Sequence, residues 1–519
     1  MNDGVPILTA MTLTPWIGGC LLVGLGARHR SLARGVGLGV SLITLALGFL
    51  AWAGFDPGEG GMQWVERHSW IPGLGVEYVV GVDGLGLAMV ALTVLLVPMA
   101  LLVSWTLTER VPLYFGLVLW LEAGLIGTFT ALNFFHWFLF WELCLIPAFF
   151  LIRLWGGPDR GSAATQFFVY TMAGSVALLL AFLALFLATG TFDFGRLAEL
   201  GGRGGWAARF EENLDWGGVS GSTLARLVFL GAFLGFAVKV PVMPFHTWLP
   251  SAYAEAPTGT TMLLTGAMSK MGVYGILRIL IPLFGAEARA LLAPLLWLAV
   301  AGGVIAAATA FAQRDLKRMF AYSSVNHLAY CLLGIFAAVG AGGEAGRLDP
   351  ERSMALGGVV VQMFNHGITA AALFAFVAFL EQRSGGRRGI EDFGGLRRRV
   401  PVFCGLMGAA VFASLGLPGL SGFVGEFMIF KGSFALEPAA AATAALGLLL
   451  TAVFLLTFLH RVFHGPLNPR WAGMADLGGR ELLAVVPAMA LMLVIGVVPQ
   501  ALLGVLKATV TRWVGDWGP

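Results

Sequence analysis

The sequence has little charge: only 12% of its 519 residues are Asp, Glu, Lys or Arg. Hydrophobic residues make up 58% of the chain, and the mean hydropathy is +0.83. A soluble protein could not bury that much apolar surface, so the composition excludes a soluble enzyme and indicates a polytopic membrane protein. The net charge of +3, with its basic residues in short loops, argues against nucleic-acid binding, which needs a contiguous basic surface.

Cysteine is scarce as well. The four cysteines lie singly in apolar segments, with no CxxC pair and no metal-ligand spacing, so we interpret them as small core residues and expect no metal site. The first apolar segment lacks a basic region before it and is long enough to span a membrane, so we expect it to be retained rather than cleaved. The cysteines are Cys20, Cys144, Cys331 and Cys404.

Lysine is the rarer cation, at five of the 32 Lys and Arg residues. Yet the two cations deepest in apolar segments, Lys239 and Lys270, are both lysine. A buried ammonium can lose its proton, whereas a guanidinium stays charged, so this usage favours proton exchange. The alternative is that each lysine is a permanent structural charge paired with a carboxylate.

About fourteen apolar stretches are long enough to cross roughly 30 Å of hydrocarbon. We therefore predict an all-α polytopic membrane protein with about fourteen transmembrane helices. It forms one membrane domain over residues 1–519. The predicted parts are helices 1–3 in 1–111, a first repeat in 112–283, a second repeat in 290–463 and helix 14 in 464–519.

Two of these helices are interrupted in the sequence. Prolines follow Lys239 inside helix 7, and each lacks an N–H group and clashes with the preceding turn, so the helix must break or kink. A Gly-rich stretch interrupts helix 12 before the acid Glu426. Interrupted helices in corresponding halves indicate inverted repeats with a site near mid-membrane, so we predict two inverted five-helix repeats, helices 4–8 and 9–13. The residues of the two breaks are Pro241 and Pro244, then Gly416, Pro418 and Gly419.

Ionisable side chains recur inside the apolar helices, where such groups usually mark ion paths. Glu142 is the predicted counter-charge of Lys239, because separating the two would release the lysine proton. A static salt bridge is the alternative, and Glu122 is a weaker candidate. His327 and His366 lie on successive helices, each with a polar residue four positions earlier, which favours a proton relay over satisfied core histidines. The supporting polar residues are His246, Ser323, Ser324, Tyr330 and Gln362.

Two further patterns concern sidedness and a glycine-rich fragment. Arginines cluster in alternate loops, for example in 382–400, and the opposite loops carry more acids, so the positive-inside rule predicts that both termini are extracytoplasmic. The fragment Gly81-Val-Asp83-Gly-Leu-Gly86 could be mistaken for a phosphate-binding loop. We expect it to follow no strand and to open a membrane helix, which excludes that interpretation.

Several motifs together resemble the antiporter-like membrane subunits of proton-pumping NADH:quinone oxidoreductase (respiratory complex I), over nearly the full chain. Within that family the chain is most similar to the M type, since Glu426 stands where the L and N types carry lysine. The motifs are Gly81-Val-Asp-Gly-Leu, Phe140-Trp-Glu142-Leu-Cys-Leu-Ile-Pro147, Lys239-Val-Pro-Val-Met-Pro-Phe-His-Thr-Trp-Leu-Pro250, Glu255-Ala-Pro-Thr258, Ala321-Tyr-Ser-Ser324 with His327, and Gly425-Glu426-Phe.

The resemblance implies a fourteen-helix fold with a proton path through it. Glu142 and Lys239 would form the input half-channel, and Glu426 would be the output gate. Lys270, His327 and His366 would carry protons between them. Flavin, iron–sulfur clusters and quinone would belong to partner subunits, leaving no cofactor here, and the partners would include the L and N types.

We therefore expect a proton-translocating, non-redox subunit of this translocase, with no catalytic residue of its own. It would lie in lipid in the inner (plasma) membrane of a bacterium and be driven by redox energy from partner subunits. The alternative is a subunit of a related cation/proton antiporter, membrane-bound hydrogenase or ferredoxin-linked complex. A non-transporting scaffold and a self-contained metabolite carrier are further alternatives, weakened by the intramembrane ionisable groups and by the lack of a legible substrate pocket.

Overall fold

The computed structural model is mostly helical and describes residues 6–26, 28–74, 76–202, 205–214, 217–341 and 346–517. In these residues, thirteen helices are long and apolar enough to cross a membrane. Two shorter helices, Pro401–Ser414 and Ser421–Leu436, occupy the stretch predicted as helix 12. The all-α polytopic fold predicted from the sequence is confirmed.

The helices follow one another closely along the chain. The first eight are α1 (Ile7–Gly24), α2 (Arg30–Ala53), α3 (Gly84–Val103), α4 (Val111–Thr130), α5 (Phe134–Trp155), α6 (Arg160–Thr189), α7 (Phe194–Gly202) and α8 (Gly205–Asn213). The next five are α9 (Gly221–Lys239), α10 (Trp248–Glu255), α11 (Thr258–Leu263), α12 (Lys270–Gly275) and α13 (Ile281–Ala290). The last eight are α14 (Leu292–Ala312), α15 (Leu316–Gly340), α16 (Asp349–Ser384), α17 (Pro401–Ser414), α18 (Ser421–Leu436), α19 (Pro438–Phe463), α20 (Gly479–Val497) and α21 (Gln500–Asp516).

The break after Lys239 lies where the prolines predict it. Helix α9 ends at Lys239, and α10 begins only at Trp248, beyond Pro241 and Pro244. A helix interrupted in a membrane must find new partners for its freed carbonyl groups. The Trp248 indole N–H supplies one by donating to the Val238 carbonyl at 2.9 Å.

The second predicted break separates α17 from α18. Gly416 and Gly419 adopt left-handed φ angles of 72° and 90°, which glycine tolerates at no steric cost. Asn365 on α16 donates to the Ser421 carbonyl at 2.5 Å, so a side chain again satisfies backbone near the interruption. The two breaks are observed, and the inverted relation between the repeats stays a prediction.

Two π-helical segments flank the short helix α12, and the sequence gives no sign of them. They are Leu264–Met268 and Ile276–Leu280, so Lys270 lies directly after a widened turn. The Ser269 amide donates to the Leu264 carbonyl five residues back. Such π-turns occur often at functional sites in proteins.

A β-hairpin precedes α3 and adds a small sheet to the otherwise helical fold. Strands β1 (Gln63–Ile71) and β2 (Val76–Val82) pair antiparallel. The glycine-rich fragment that begins at Gly81 therefore does follow a strand, and the expectation that it follows none was wrong. Its Asp83 caps α3 by accepting from the Gly86 amide at 3.1 Å, so the fragment ends a strand and opens a membrane helix.

Helices α15 and α16 form the centre of the protein. The most apolar 18-residue stretch of Asp349–Ser384 is buried throughout. The buried share of the corresponding stretch is 94% in Leu316–Gly340 and only 28% in Arg30–Ala53. A helix that is buried on all sides can carry polar groups where lipid does not reach them. His327 and His366 lie on these two central helices.

Candidate functional site: a row of ionisable groups across the two halves

Lys270 is fully buried, and its ammonium is held by the widened turn before it. Its Nζ donates to the Thr265 carbonyl at 2.5 Å, and the Ser269 hydroxyl donates to the same carbonyl at 2.9 Å. The Thr265 hydroxyl in turn lies 2.9 Å from the Ser324 hydroxyl on α15. The π-turn thus provides acceptors for a cation in an apolar interior.

Lys270 also contacts the second half of the chain directly. Its Nζ lies 2.7 Å from Nδ1 of His366 on α16, so the imidazole accepts when that nitrogen carries no proton. The backbones approach closely here, since a Cβ on Gly367 would lie 2.8 Å from the Gly266 carbonyl oxygen. Small residues at a helix contact allow such approach, and here they bring a lysine and a histidine together.

The row continues from His366 through His327 to Glu426. The two imidazole rings are 5.2 Å apart between centroids, and Nδ1 of His327 lies 3.0 Å from Oε1 of Glu426. The Gln362 amide donates to the same carboxylate oxygen at 3.3 Å. The Ser414 hydroxyl, at the end of α17, lies 3.3 Å from Nε2 of His327. Four of the six predicted path residues therefore lie in one row.

Two glycines make room for Glu426. A Cβ on Gly425 would lie 2.7 Å from the Gln362 Oε1 atom, and one on Gly416 would lie 2.6 Å from Oε2 of Glu426. Helix α18 can thus pack on α16 closely enough for the carboxylate to reach Gln362 and His327. Gly416 of the second break therefore has a packing role in addition to interrupting the helix.

Glu142 and Lys239 lie apart from this row. Lys239 is buried, and its Nζ lies 4.8 Å from the centroid of the Trp141 ring. Glu142 is near enough to interact with its charge, yet no ion pair within 4.0 Å joins the two among the described residues. Glu142 Oε1 is buried and has no hydrogen-bond partner in the described part of the chain. The pair is near in space but not in contact.

The remaining predicted residues lie at varied distances from the row. Ser324 touches it through Thr265, and the Tyr330 ring meets the His327 ring edge-on at 5.9 Å. Ser323 is buried on the same helix. His246 is half-buried in the first break, 6.1 Å from the Tyr322 ring, and does not reach the row.

Glu122 stands alone, fully buried on α4. Neither of its carboxylate oxygens has a hydrogen-bond partner among the described residues. A charged carboxylate without partners is costly in such a place, so the neutral acid is the form that this environment favours. It does not join the predicted path.

The sequence analysis missed a cluster of ion pairs that ties the first break to the second half. Arg388 pairs with Glu255 at 3.1 Å and with Asp315 at 2.6 Å. Lys317 donates to the Ala256 carbonyl at 2.9 Å and lies 3.5 Å from Glu381. The motif Glu255-Ala-Pro-Thr258 was the available signal, because an acid between two apolar helices is costly unless a cation pairs with it.

No group of three or more His, Cys, Asp or Glu side chains in the described ranges is arranged to hold a metal ion. The absence of a cofactor stays a prediction.

Comparisons with known proteins give the family. Residues 131–452 match the family model described as NADH:quinone oxidoreductase/Mrp antiporter, TM. NADH-quinone oxidoreductase subunit M of Pseudomonas aeruginosa is 37% identical, with 98% of each chain covered. A chain of respiratory complex I from Thermus thermophilus with bound NADH has a TM-score of 0.83 at 28% identity, covering 99% of this chain and 100% of that one.

A chain of the Mrp complex from Dietzia superposes with a TM-score of 0.81 at 23% identity, covering 98% of this chain and 99% of that one, and it shows a shared fold alone. The relatives named subunit M are matched over nearly their whole length. The chain belongs to the NADH:quinone oxidoreductase/Mrp antiporter membrane family and, within it, to the subunit M group.

Proposed function

We propose that this chain is a proton-translocating subunit of a bacterial NADH:quinone oxidoreductase and performs no redox chemistry itself. The observation that carries the proposal is the row Lys270–His366–His327–Glu426, which crosses from one half of the chain to the other. Buried groups that can each gain and lose a proton, placed within contact of one another, are what proton transfer through a membrane requires.

The steps follow from the contacts. The Lys270 ammonium donates its proton to Nδ1 of His366, leaving a neutral amine and an imidazolium. The imidazolium passes a proton to His327, which releases one from Nδ1 to the Glu426 carboxylate, so that both rings end neutral and the acid protonated. Gln362 orients the acceptor by donating to the Glu426 carboxylate, and the Ser414 hydroxyl orients the ring through its hydrogen bond with Nε2 of His327. Lys270 is then ready to take another proton.

Glu142 and Lys239 would serve as the loading pair. Residue Val240, next to Lys239, packs against Gly272, two residues after Lys270, so the loading pair and the row lie on adjoining helix ends. A change in the distance between Glu142 and Lys239 would alter how firmly the lysine holds its proton. Redox energy would reach this pair from neighbouring subunits as a conformational or electrostatic change.

The membrane, the side on which the termini lie and the neighbouring subunits are part of this proposal. We infer that it lies in the plasma membrane with both termini on the extracytoplasmic side. Its neighbours would be other membrane subunits of the complex, including the L and N types, and flavin, iron–sulfur clusters and quinone would belong to partners.

The decisive experiment replaces Lys270 by Met in the assembled complex. Proton pumping in inverted membrane vesicles, followed by the quenching of a pH-sensitive dye during NADH oxidation, should fall at least about tenfold, since proton-transfer groups contribute factors of that size or more. The matched control is Lys431→Met, because Lys431 is exposed on α18. Normal pumping by an assembled Lys270→Met complex would refute the proposal.

A further inference from the structure

A large cavity opens at the end of the protein that carries the β-hairpin and α21. We call it the vestibule; it has a volume of about 1040 Å³, and its lining includes Arg67, Asp83, Asp193, Arg278, Glu287 and Arg512. Its rim reaches solvent, because the side chains of Arg512 and Asp516 are 57% and 63% exposed. A space of this size with charged side chains in its wall can hold water.

The vestibule ends at an ion pair between Asp83 and Arg278. Their side chains are only 2% and 9% exposed and are in direct contact. The pair joins the start of α3 to the second π-helical segment, Ile276–Leu280. It is thus the innermost charged pair of the cavity, placed where solvent stops.

Lys270 lies on the far side of this pair. Arg278, Tyr274 and Lys270 follow at four-residue intervals along α12 and the second π-helical segment, so the backbone between Arg278 and Lys270 rises by about 12 Å at the α-helical rise. The Arg278 guanidinium lies 5.7 Å from the Tyr274 ring centroid, and the Tyr274 hydroxyl donates to the Phe129 carbonyl at 3.0 Å. The vestibule lining includes Asp83 and Arg278 but neither Tyr274 nor Lys270, so the ion pair lies between the cavity and these two residues.

The contacts of the pair allow a second arrangement. Asp83 remains bound to the Gly86 amide as the cap of α3, so it keeps a partner when Arg278 leaves. Arg278 also lies 5.8 Å from the Trp513 ring centroid, and the vestibule wall offers it other carboxylates, such as Glu287. An ion pair with alternative partners on one side is an element that can switch between two states.

We propose that Asp83 and Arg278 form a gate between the vestibule and Lys270. With the pair closed, water is kept from the lysine. With the pair open, water reaches Lys270, whose ammonium gives one proton to a water molecule and becomes a neutral amine. Lys270 would thus exchange protons with the solution at the hairpin end without using Glu426. This gate rests on the proposed function, in which Lys270 carries protons.

A static clamp between α3 and the end of the lysine helix is the competing interpretation, and accessibility separates the two. The test uses the assembled complex, in which the four cysteines of this chain are replaced by alanine. Tyr274→Cys then supplies the single cysteine of the chain. A charged, membrane-impermeant methanethiosulfonate reagent is applied from the hairpin side, and the rate of thiol labelling is measured.

The gate predicts that, with the pair intact, labelling is slow at rest and becomes faster during NADH oxidation, whereas a static clamp predicts equally slow labelling under both conditions. Arg278→Gln or Asp83→Asn should raise the labelling rate about tenfold or more, because breaking a buried ion pair favours the open arrangement. The control Arg387→Gln removes an equal charge from the Arg387–Asp392 pair, which does not line the vestibule, and should leave the rate unchanged. Arg278→Lys, which keeps the charge, should label slowly.

The double variant Asp83→Asn with Arg278→Gln leaves no unpaired buried charge and serves if a single variant fails to assemble. Equal labelling rates with and without the pair, in assembled complexes, would overturn the gate. The labelling rate does not depend on proton movement. The experiment can therefore refute the gate without refuting the proposed proton-translocating function. Normal pumping by Lys270→Met would refute the proposed function, whereas the labelling rates report on the gate.

Discussion

Lys270 and His366 come from opposite halves of the chain, yet the lysine Nζ lies 2.7 Å from the histidine Nδ1. Their helices meet at Gly266 and Gly367, where the absence of side chains lets the backbones approach. A potential proton acceptor from the other half of the chain therefore lies within hydrogen-bond distance of Lys270 whenever Nδ1 of His366 carries no proton.

The first prediction removes this acceptor. His366→Phe keeps a ring on α16 but cannot take a proton, so pumping should fall at least about tenfold. NADH-driven dye quenching in inverted vesicles measures it. The control is His460→Phe, since His460 lies exposed on α19. Unchanged pumping with His366→Phe would mean that the proton does not pass through this imidazole.

The second prediction concerns the acid at the end of the row. Glu426→Gln keeps the size of the side chain and a hydrogen-bond acceptor toward Gln362, but it can no longer gain and lose a proton. We expect the complex to assemble with normal thermal stability and to lose most of its pumping. Glu437→Gln, on the residue that follows α18, is the matched control. A Glu426→Gln complex that pumps at the normal rate would exclude the carboxylate as a proton carrier.

Much of this site can be found from the sequence, because a charged side chain inside a membrane is energetically costly and therefore rare. The ionisable residues of the row stand out among apolar neighbours; they are Lys270, His366, His327 and Glu426. Prolines and glycines mark the two helix breaks. The contacts could not be predicted, since they depend on helix packing between distant segments. The π-turn before Lys270 is a backbone feature with no side-chain signature.

The sequence analysis did not predict the hairpin or the vestibule, because neither has a clear local sequence pattern. All residues of strand β1 are exposed or half-buried, so one face of the strand is not clearly apolar. The sequence therefore lacks the alternation of apolar and polar residues that indicates a strand. The Asp83–Arg278 pair joins residues 195 positions apart in the chain. Pairing at that separation is set by the three-dimensional fold, and one sequence gives no sign of it.

The third prediction tests the close packing around Glu426. In Gly425→Ala the new methyl group would lie 2.7 Å from Gln362 Oε1 and 2.9 Å from the Gln362 backbone nitrogen, so α18 must move away from α16. Overpacking of this kind costs about 1–3 kcal/mol and should lower both the melting temperature and pumping. Gly405→Ala is the control, because a Cβ there meets no atom within 4 Å. Equal melting temperatures for the two variants would show that the contact yields without cost.

The fourth prediction separates two roles for Lys239. The ammonium lies 4.8 Å from the Trp141 ring centroid, with Glu142 in electrostatic range, so a fixed cation there could simply stabilise the fold. Lys239→Arg keeps the charge but cannot release its proton at physiological pH. We therefore expect Lys239→Arg to assemble and to pump as poorly as Lys239→Ala, measured as dye quenching per NADH oxidised. If arginine restored full pumping where alanine did not, Lys239 would act as a permanent charge, and the loading step would have to lie elsewhere.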